Sequence, residues 1–446
     1  MTGTSFSRRQ LLTGATALAA GLGLTGCVGR RDGDYAQVSG HVPAQFARRD
    51  RVVLWSAFTS HNAKVLQSVV DGFNSSQNDI FCEIQLFPGY VALDSKLAVS
   101  LTTEQIPDVV ILGDVSWNRY FLAEALEPLT GYFDADFGTD AFHPRFLAEG
   151  TIRGEVYWLP WARSTPLFYY NKEIFAAAGL PDRGPRTYSE LREWGRQLKG
   201  FTYRGSPVKM RGYTGADDWY FQASSWAFGG SYSDDGMVSQ LISEQTIAAL
   251  EFDRAFIHDD QMAYLASNLN GDFVAGVTAS ICNSTGSLTS LLNTAKFELG
   301  AAFLPEQDAP GVPTGGSGLA VMRNATKTRK QATWELIKYL TEEGAPAWSL
   351  ETGYLPVTTS TLNSPKIRDR NTRTPAYQIA QDQLGRARTP DVMRRYVNET
   401  IAEMLLALQK VYASDTNPRD VLRGVARELN PAVKRVLPKY RRLVLP

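Results

Sequence analysis

Apolar positions first gather between Leu11 and Leu24, in a run rich in Ala, Gly and Leu that is too short to span a bilayer. Arg8 and Arg9 precede the run and Leu24-Thr25-Gly26-Cys27 closes it. Residues 1–26 therefore read as an export signal, with Cys27 as the candidate lipidation site. Residues 28–50 carry Gly, Asp, Arg, Ser and Gln with few apolar positions, the composition of a solvated spacer, so order is expected from near Val52. Val52 to Trp55 reads as a buried strand. Val65, Leu66, Val69, Val70 and Phe73 then recur at the helical period. Ile80 to Phe87 alternates as a strand, Val91 to Leu101 fits a second helix, and Asp108 to Leu112 is an apolar strand of the kind buried in a parallel sheet. Strand and helix in alternation predict an open α/β domain.

The pattern restarts near residue 164. Leu167 to Tyr170 reads as a strand, Lys172 to Ala178 as a helix ended by Gly179, and Thr187-x-x-Glu190 as a capping box opening the next helix. A second α/β lobe is expected from here. Ligands of such sheets collect beyond the carboxyl ends of the strands. That rule points to the loop from Ser56 to His61, to Gly89-Tyr90 and to Gly113-Asp114, although turn chemistry alone accounts for Asp and Gly at such places.

Charge narrows the function classes. Lys and Arg together number 46, as do Asp and Glu, and loss of the arginine pair leaves a slight acidic excess. Neither nucleic acid nor acidic lipid is a natural partner for such a surface. After Cys27 no apolar run reaches the roughly 18 residues a membrane helix needs, and about 420 residues suit two domains. The other cysteines, Cys82 and Cys282, show no framework spacing and read as buried thiols. His41, His61, His143 and His258 are scattered without a second ligand at metal spacing, so no metal or cofactor is expected. An exported phosphodiesterase would need such ligands, or a Gly-x-Ser-x-Gly elbow with a histidine near its serine, and the chain shows neither.

Tyr169-Tyr170-Asn171-Lys172, with Phe175, Ala178-Gly179-Leu180, Pro185, Thr187, Glu190 and Leu191, resembles the signature of family 1 extracellular solute-binding proteins. The Leu-Thr-Gly-Cys ending resembles the lipobox of bacterial lipoproteins. Arg163-Ser164-Thr165-Pro166, Ser284 to Leu288, Gly315-Gly316 and Thr352 to Pro356 are similar to the Ugp branch, whose receptors take glycerol 3-phosphate and glycerophosphodiesters. Trp226 to Gly230 and Ala178 to Pro185 resemble its actinobacterial lipoprotein form, which prefers glycerophosphocholine.

The resemblance implies a two-lobed α/β clamshell with hinge crossovers, no catalytic residues and no cofactor. It implies an N-lobe of residues 51–163 plus 315–352 and a C-lobe of 164–314 plus 353–446. The helix Ala332 to Leu340 then falls in the first lobe, and a helical tail including Ile401 to Leu408 packs on the second. The partners are a small glycerophosphodiester and the permease subunits of an ABC importer, with a monomeric receptor held at the outer face of the cell membrane through Cys27.

The resemblance places the phosphate on Arg394, Ser164, Ser284, Gly316 and Tyr354. Gly286 and the Gly315-Gly316 pair suit close approach of backbone amides to an oxyanion. Tyr90 and Asp114 fall where the family binds glycerol hydroxyls. A quaternary ammonium favours aromatic faces, at about 0.5–2 kcal/mol per contact, and Trp219, Tyr220 and Trp226 stand in the corresponding stretch. Asp217 and Asp218 precede them where relatives are apolar or aromatic. They are expected either to attract a cation or to be solvated, with Trp226 then in the core. A carbohydrate receptor of the same fold is the alternative, since sugars stack on aromatics and do not need Arg394.

Overall fold

The computed structural model describes residues 35–214 and 217–445; the expected signal, Cys27 and the segment up to residue 34 lie outside the described residues. Two sheets of five strands organise the chain. In the first, Ile80–Leu86, Asp50–Ser56 and Val109–Gly113 run parallel, and Gly315–Val321 lies antiparallel between Val109–Gly113 and Leu159–Ser164. The inner strands are apolar and buried over residues 52–55, 109–112 and 319–321 because helices cover both faces. Ser60–Ser76 and Lys327–Thr341 place Leu66, Val70, Leu336, Ile337 and Leu340 against Val52, Leu54 and Ile111. The second sheet orders Ala263–Leu265, Lys209–Tyr213, Thr278–Ser284, Pro166–Asn171 and Leu299–Ala302.

The chain passes from the first sheet to the second at Thr165, and back between residues 303 and 314. The third passage departs from the expected boundary at 352/353. The Leu355 amide donates to the Arg163 carbonyl at 2.8 Å and the His143 amide to the Val357 carbonyl at 2.8 Å, so residues 355–357 still belong with the first sheet. Pro375–Gln383 then packs on Leu299–Ala302 of the second sheet. The spacer expectation also needs correction. Ala36–Gln37 pairs in parallel with Gln105–Ile106, and Val38 is buried. Buried Asp108 accepts from the Val53 amide (2.8 Å), Gln37 Nε2 (2.5 Å) and Arg329 Nε (2.5 Å), so polar bonds hold this segment where apolar periodicity gave no sign of order.

Local chemistry explains the elements near the cleft. Thr187 Oγ1 caps Tyr188–Gln197 by accepting from the Glu190 amide at 3.0 Å. The Glu190 carboxylate, however, reaches the Arg186 amide and the Arg183 guanidinium, so the capping box is completed one residue early. The tail helix Glu399–Ser414 lies on Asp218–Ala227 and Glu244–Ile257. The last helix, Pro418–Leu443, also reaches Trp117–Leu122 of the first lobe, and Arg442 faces Glu124 at 3.5 Å. Cys82 and Cys282 are buried, free and in different sheets.

Candidate functional site

The strand ends that sequence rules single out meet where the two sheets face each other. Asp114 follows the strand Val109–Gly113, and its amide donates to the Gly316 carbonyl at 2.9 Å. Tyr90 opens the helix Tyr90–Thr102 and lays its ring beside Gly113, where a Cβ would meet the ring at 3.6 Å. Ser164 ends Leu159–Ser164 opposite Gly315 and is buried. From the other lobe, Arg394 on Val392–Tyr396 donates Nε to Asp218 Oδ2 at 2.7 Å and Nη2 to Asp218 Oδ1 at 3.4 Å. Its Nη1 stands 3.6 Å from Asp114 Oδ2 across the cleft. Neither that nitrogen nor that oxygen has a hydrogen-bond partner, and both are buried.

The glycines need a different explanation from the expected one. Gly316 has φ +95°, and a Cβ there would lie 2.0 Å from the Ala162 carbonyl oxygen, so a side chain is excluded by its own sheet. Gly286 lies under the Tyr354 ring, with a Cβ meeting it at 2.7 Å, while its amide already donates to Ser284 Oγ at 3.1 Å. That amide is spent on an ST turn, and the small residue seats Tyr354 instead of an oxyanion. Tyr354 in turn stacks on Trp348 at 5.5 Å. Trp219 lies on Gly315 in the same way and donates Nε1 to the Thr314 carbonyl at 3.0 Å.

In the aromatic and acidic stretch 217–226, Trp226 lies in the core as one of the two expectations has it, whereas the aspartates follow neither. Trp226 is core, its Nε1 donates to Asp391 at 3.0 Å, and Arg388 lies 3.8 Å from its ring centroid. Tyr220 carries the Arg211 guanidinium at 4.1 Å. Two of the three rings expected for a quaternary ammonium, Tyr220 and Trp226, already hold a guanidinium. Asp218 is buried, neither solvated nor free for a ligand cation, because Arg394 occupies it. Asp217 caps Asp218–Ala227 by accepting from the Tyr220 amide at 2.9 Å.

Sequence reasoning missed the second buried ion pair, Arg163 with Glu149. Arg163 is fully buried over the rings of Trp158 (4.8 Å) and Phe146 (5.5 Å), and its Nε and Nη1 have no partner. Arg163 stood inside the Arg-Ser-Thr-Pro motif, but nothing local marked Glu149.

Burial pushes the carboxyls of Asp114 and Glu149 up, against the pull of Arg394 and Arg163 on Asp114 and of Arg163 on Glu149. Burial also opposes the charge of Arg394, but Asp218 and Asp114 outweigh it and hold that guanidinium above its ordinary range. Asp217 is pushed up to about 6, chiefly by burial and further by Asp218, while the Tyr220 amide and the arginines oppose this. Asp217 is thus harder to ionise folded than unfolded, where a carboxyl titrates near ~3.9. Its folded state binds the extra proton between those values, so its contribution to stability falls as pH rises through about 4 to 6. Asp217→Asn keeps a good cap. Its melting temperature relative to the parent is expected to rise from pH 4 to pH 7; a constant difference would contradict the assignment.

The bacterial extracellular solute-binding protein family matches residues 68–375. The sn-glycerol-3-phosphate-binding periplasmic protein UgpB of Yersinia pestis is 26% identical over 363 residues, 75% of this chain and 80% of that protein. UgpB from Mycobacterium tuberculosis, crystallised with glycerophosphocholine, is similar at 32% identity and TM-score 0.82, over 86% of this chain and 98% of its own. A cyclic alpha-maltosyl-1,6-maltose binding protein from Arthrobacter globiformis shares the fold at 24% identity and TM-score 0.72, over 87% and 100% of the two chains. These relatives are substrate-binding proteins and not enzymes. Among the described residues no helix is long and apolar enough to cross a membrane. By family match, relatives and fold alike, the chain belongs to the bacterial extracellular solute-binding proteins and is a UgpB-like receptor of an ABC importer.

Proposed function

We propose that the cleft captures a glycerophosphodiester for import. The observation that carries this reading is a buried donor on Arg394 and a buried acceptor on Asp114 that face each other as an ion pair 3.6 Å apart, each without a hydrogen bond. Glycerol phosphate carries matching groups a few bonds apart: a phosphoryl oxygen accepts from Nη1 and a hydroxyl donates to Oδ2. Each bond satisfies a buried polar group that is costly to leave alone, and the two come from opposite lobes, so binding stabilises closure. In this reading Tyr90 adds a hydroxyl beside Asp114, and Ser164, Ser284, Gly286, Gly316, Tyr354 and Trp219 line the remaining walls.

Charge favours a diester over a monoester. The carboxyls of Asp114, Glu149, Asp217 and Asp218 outnumber the guanidinium groups of Arg163, Arg211 and Arg394, and Arg163 and Arg394 each already face a carboxylate. A phosphodiester brings one negative charge and glycerophosphocholine none net, whereas a phosphomonoester near neutral pH brings ~1.5–2. Calorimetry on the chain lacking residues 1–27 is expected to give heat with glycerophosphocholine and weaker binding of glycerol 3-phosphate. Tighter binding of the monoester would reverse the charge argument.

A carbohydrate reading is favoured by one observation: with Arg394 held by Asp218, the cleft offers carboxylates and aromatic faces that suit sugar hydroxyls and rings. Heat with maltotriose or trehalose and none with any glycerophosphodiester would select it. The proposal includes a lipid anchor at Cys27 that holds a monomer at the outer face of the membrane. The full chain should partition into the detergent phase and Cys27→Ala should not; equal partitioning would remove the anchor.

A further inference from the structure

A cavity of about 370 Å³ adjoins the cleft on the second lobe and shares Trp219 and Ser284 with it. Its wall is polar and holds no lysine or arginine. Besides Asp217 it includes Asn268, Asn270 and Asn283, at the loop and short helix that follow Ala263–Leu265 and at the end of Thr278–Ser284.

The amides are oriented by the protein. Asn268 Oδ1 caps Leu269–Val274 by accepting from the Gly271 amide at 3.1 Å. Asn270 Oδ1 accepts from Asn283 Nδ2 at 2.6 Å. In each of Asn268 and Asn270 the oxygen is occupied and the NH2 remains to donate. On the same wall, Asp217 Oδ1 accepts from the Tyr220 amide at 2.9 Å.

This set of groups suits hydroxyls better than a quaternary ammonium. An ammonium group is held by aromatic faces that surround it. Here Tyr220 carries Arg211, Trp226 carries Arg388 outside the cavity, and one face of Trp219 is laid on Gly315. Among these described rings, Trp219 alone carries no guanidinium. A polyol, in contrast, presents several vicinal hydroxyls, each of which donates and accepts at once. Fixed amide donors beside a carboxylate match that pattern, and an aromatic face covers the C–H side of a ring.

We propose that this cavity is a subsite for a polyhydroxylated alcohol, such as inositol, glycerol or a hexose, esterified to the far side of the phosphate, and that Asn268 and Asn270 select it. The inference rests on the glycerophosphodiester reading for the position of the phosphate, since Ser284 and Trp219 join the two spaces. Trp219 is then the shared wall, and the second alcohol of the diester lies under it.

Calorimetry with glycerophosphoinositol and glycerophosphocholine tests this, using the parent, Asn270→Ala and Asn268→Ser. Asn270 is exposed, and serine retains the cap at 268, so both variants are expected to keep the parental melting temperature. The inositol ester should bind the parent more tightly than the choline ester. Asn270→Ala should weaken the inositol ester about fivefold, the size of one ordinary hydrogen bond, and leave the choline ester unchanged. Equal affinities for the two esters, or equal losses for both in Asn270→Ala, would overturn the subsite. If neither ester binds the parent, the glycerophosphodiester reading fails on its own, and free myo-inositol decides the cavity. A rise in melting temperature that Asn270→Ala abolishes supports the subsite, and no rise overturns it.

Discussion

Arg394→Ala is expected to remove ligand binding and to destabilise the protein by about 3–5 kcal/mol, because it leaves Asp218 buried without its partner. Both effects follow from one geometry. The guanidinium holds Asp218 through two nitrogens and directs the third, which makes no hydrogen bond, at Asp114 and the space between the lobes. The bonds to Asp218 stabilise the folded lobe, and the free nitrogen serves the ligand. The two roles can be separated. In Arg394→Ala/Asp218→Ala no buried charge is left without a partner at this pair, so chemical denaturation should show most of the lost stability recovered, while calorimetry still shows no heat. Binding that returned with stability would mean that Arg394 only supports the fold. Binding that survived in the single variant would move the phosphate elsewhere.

The second large effect is expected at a residue that touches no ligand. Glu149→Ala should cost about 3–5 kcal/mol, measured by urea denaturation, since it leaves Arg163 charged in a site without exposed surface. Aromatic rings on Trp158 and Phe146 offset only part of that cost. Arg163 lies one residue before Ser164, and its carbonyl takes the Leu355 amide, so loosening it disturbs the place where the chain leaves the first lobe. Replacing both partners by apolar residues, Glu149→Leu with Arg163→Met, should recover much of the stability. A single variant as stable as the parent would show that water reaches Arg163.

Much of the architecture was readable from local signals. The apolar runs at Val52 to Trp55 and Asp108 to Leu112 and the helical repeat from Val65 to Phe73 are strands and helix in the structure, since period and burial depend on neighbours a few residues away. The same rules brought Tyr90 and Asp114 forward, as loop residues after parallel strands. Where local signals were weak the reading slipped. Residues 35–38 have too few apolar side chains to announce a strand and are held through Asp108 and Arg329, far along the chain. Asp217 and Asp218 are adjacent, yet one caps a helix while the other is buried against a residue 176 positions away.

The sequence by itself determined the alternation of strands and helices, the strand-end positions of the candidate ligand residues and, through its motifs, the family. Tertiary structure alone decided which charges pair, which aromatic faces stay open and why the glycines are small. Periodicity is set by backbone geometry within a turn or a pleat, so it is written locally. Pairing of Arg394 with Asp218 and Asp114, of Arg163 with Glu149, and of Arg211 and Arg388 with the aromatic rings depends on through-space distances after burial, where water no longer screens a charge.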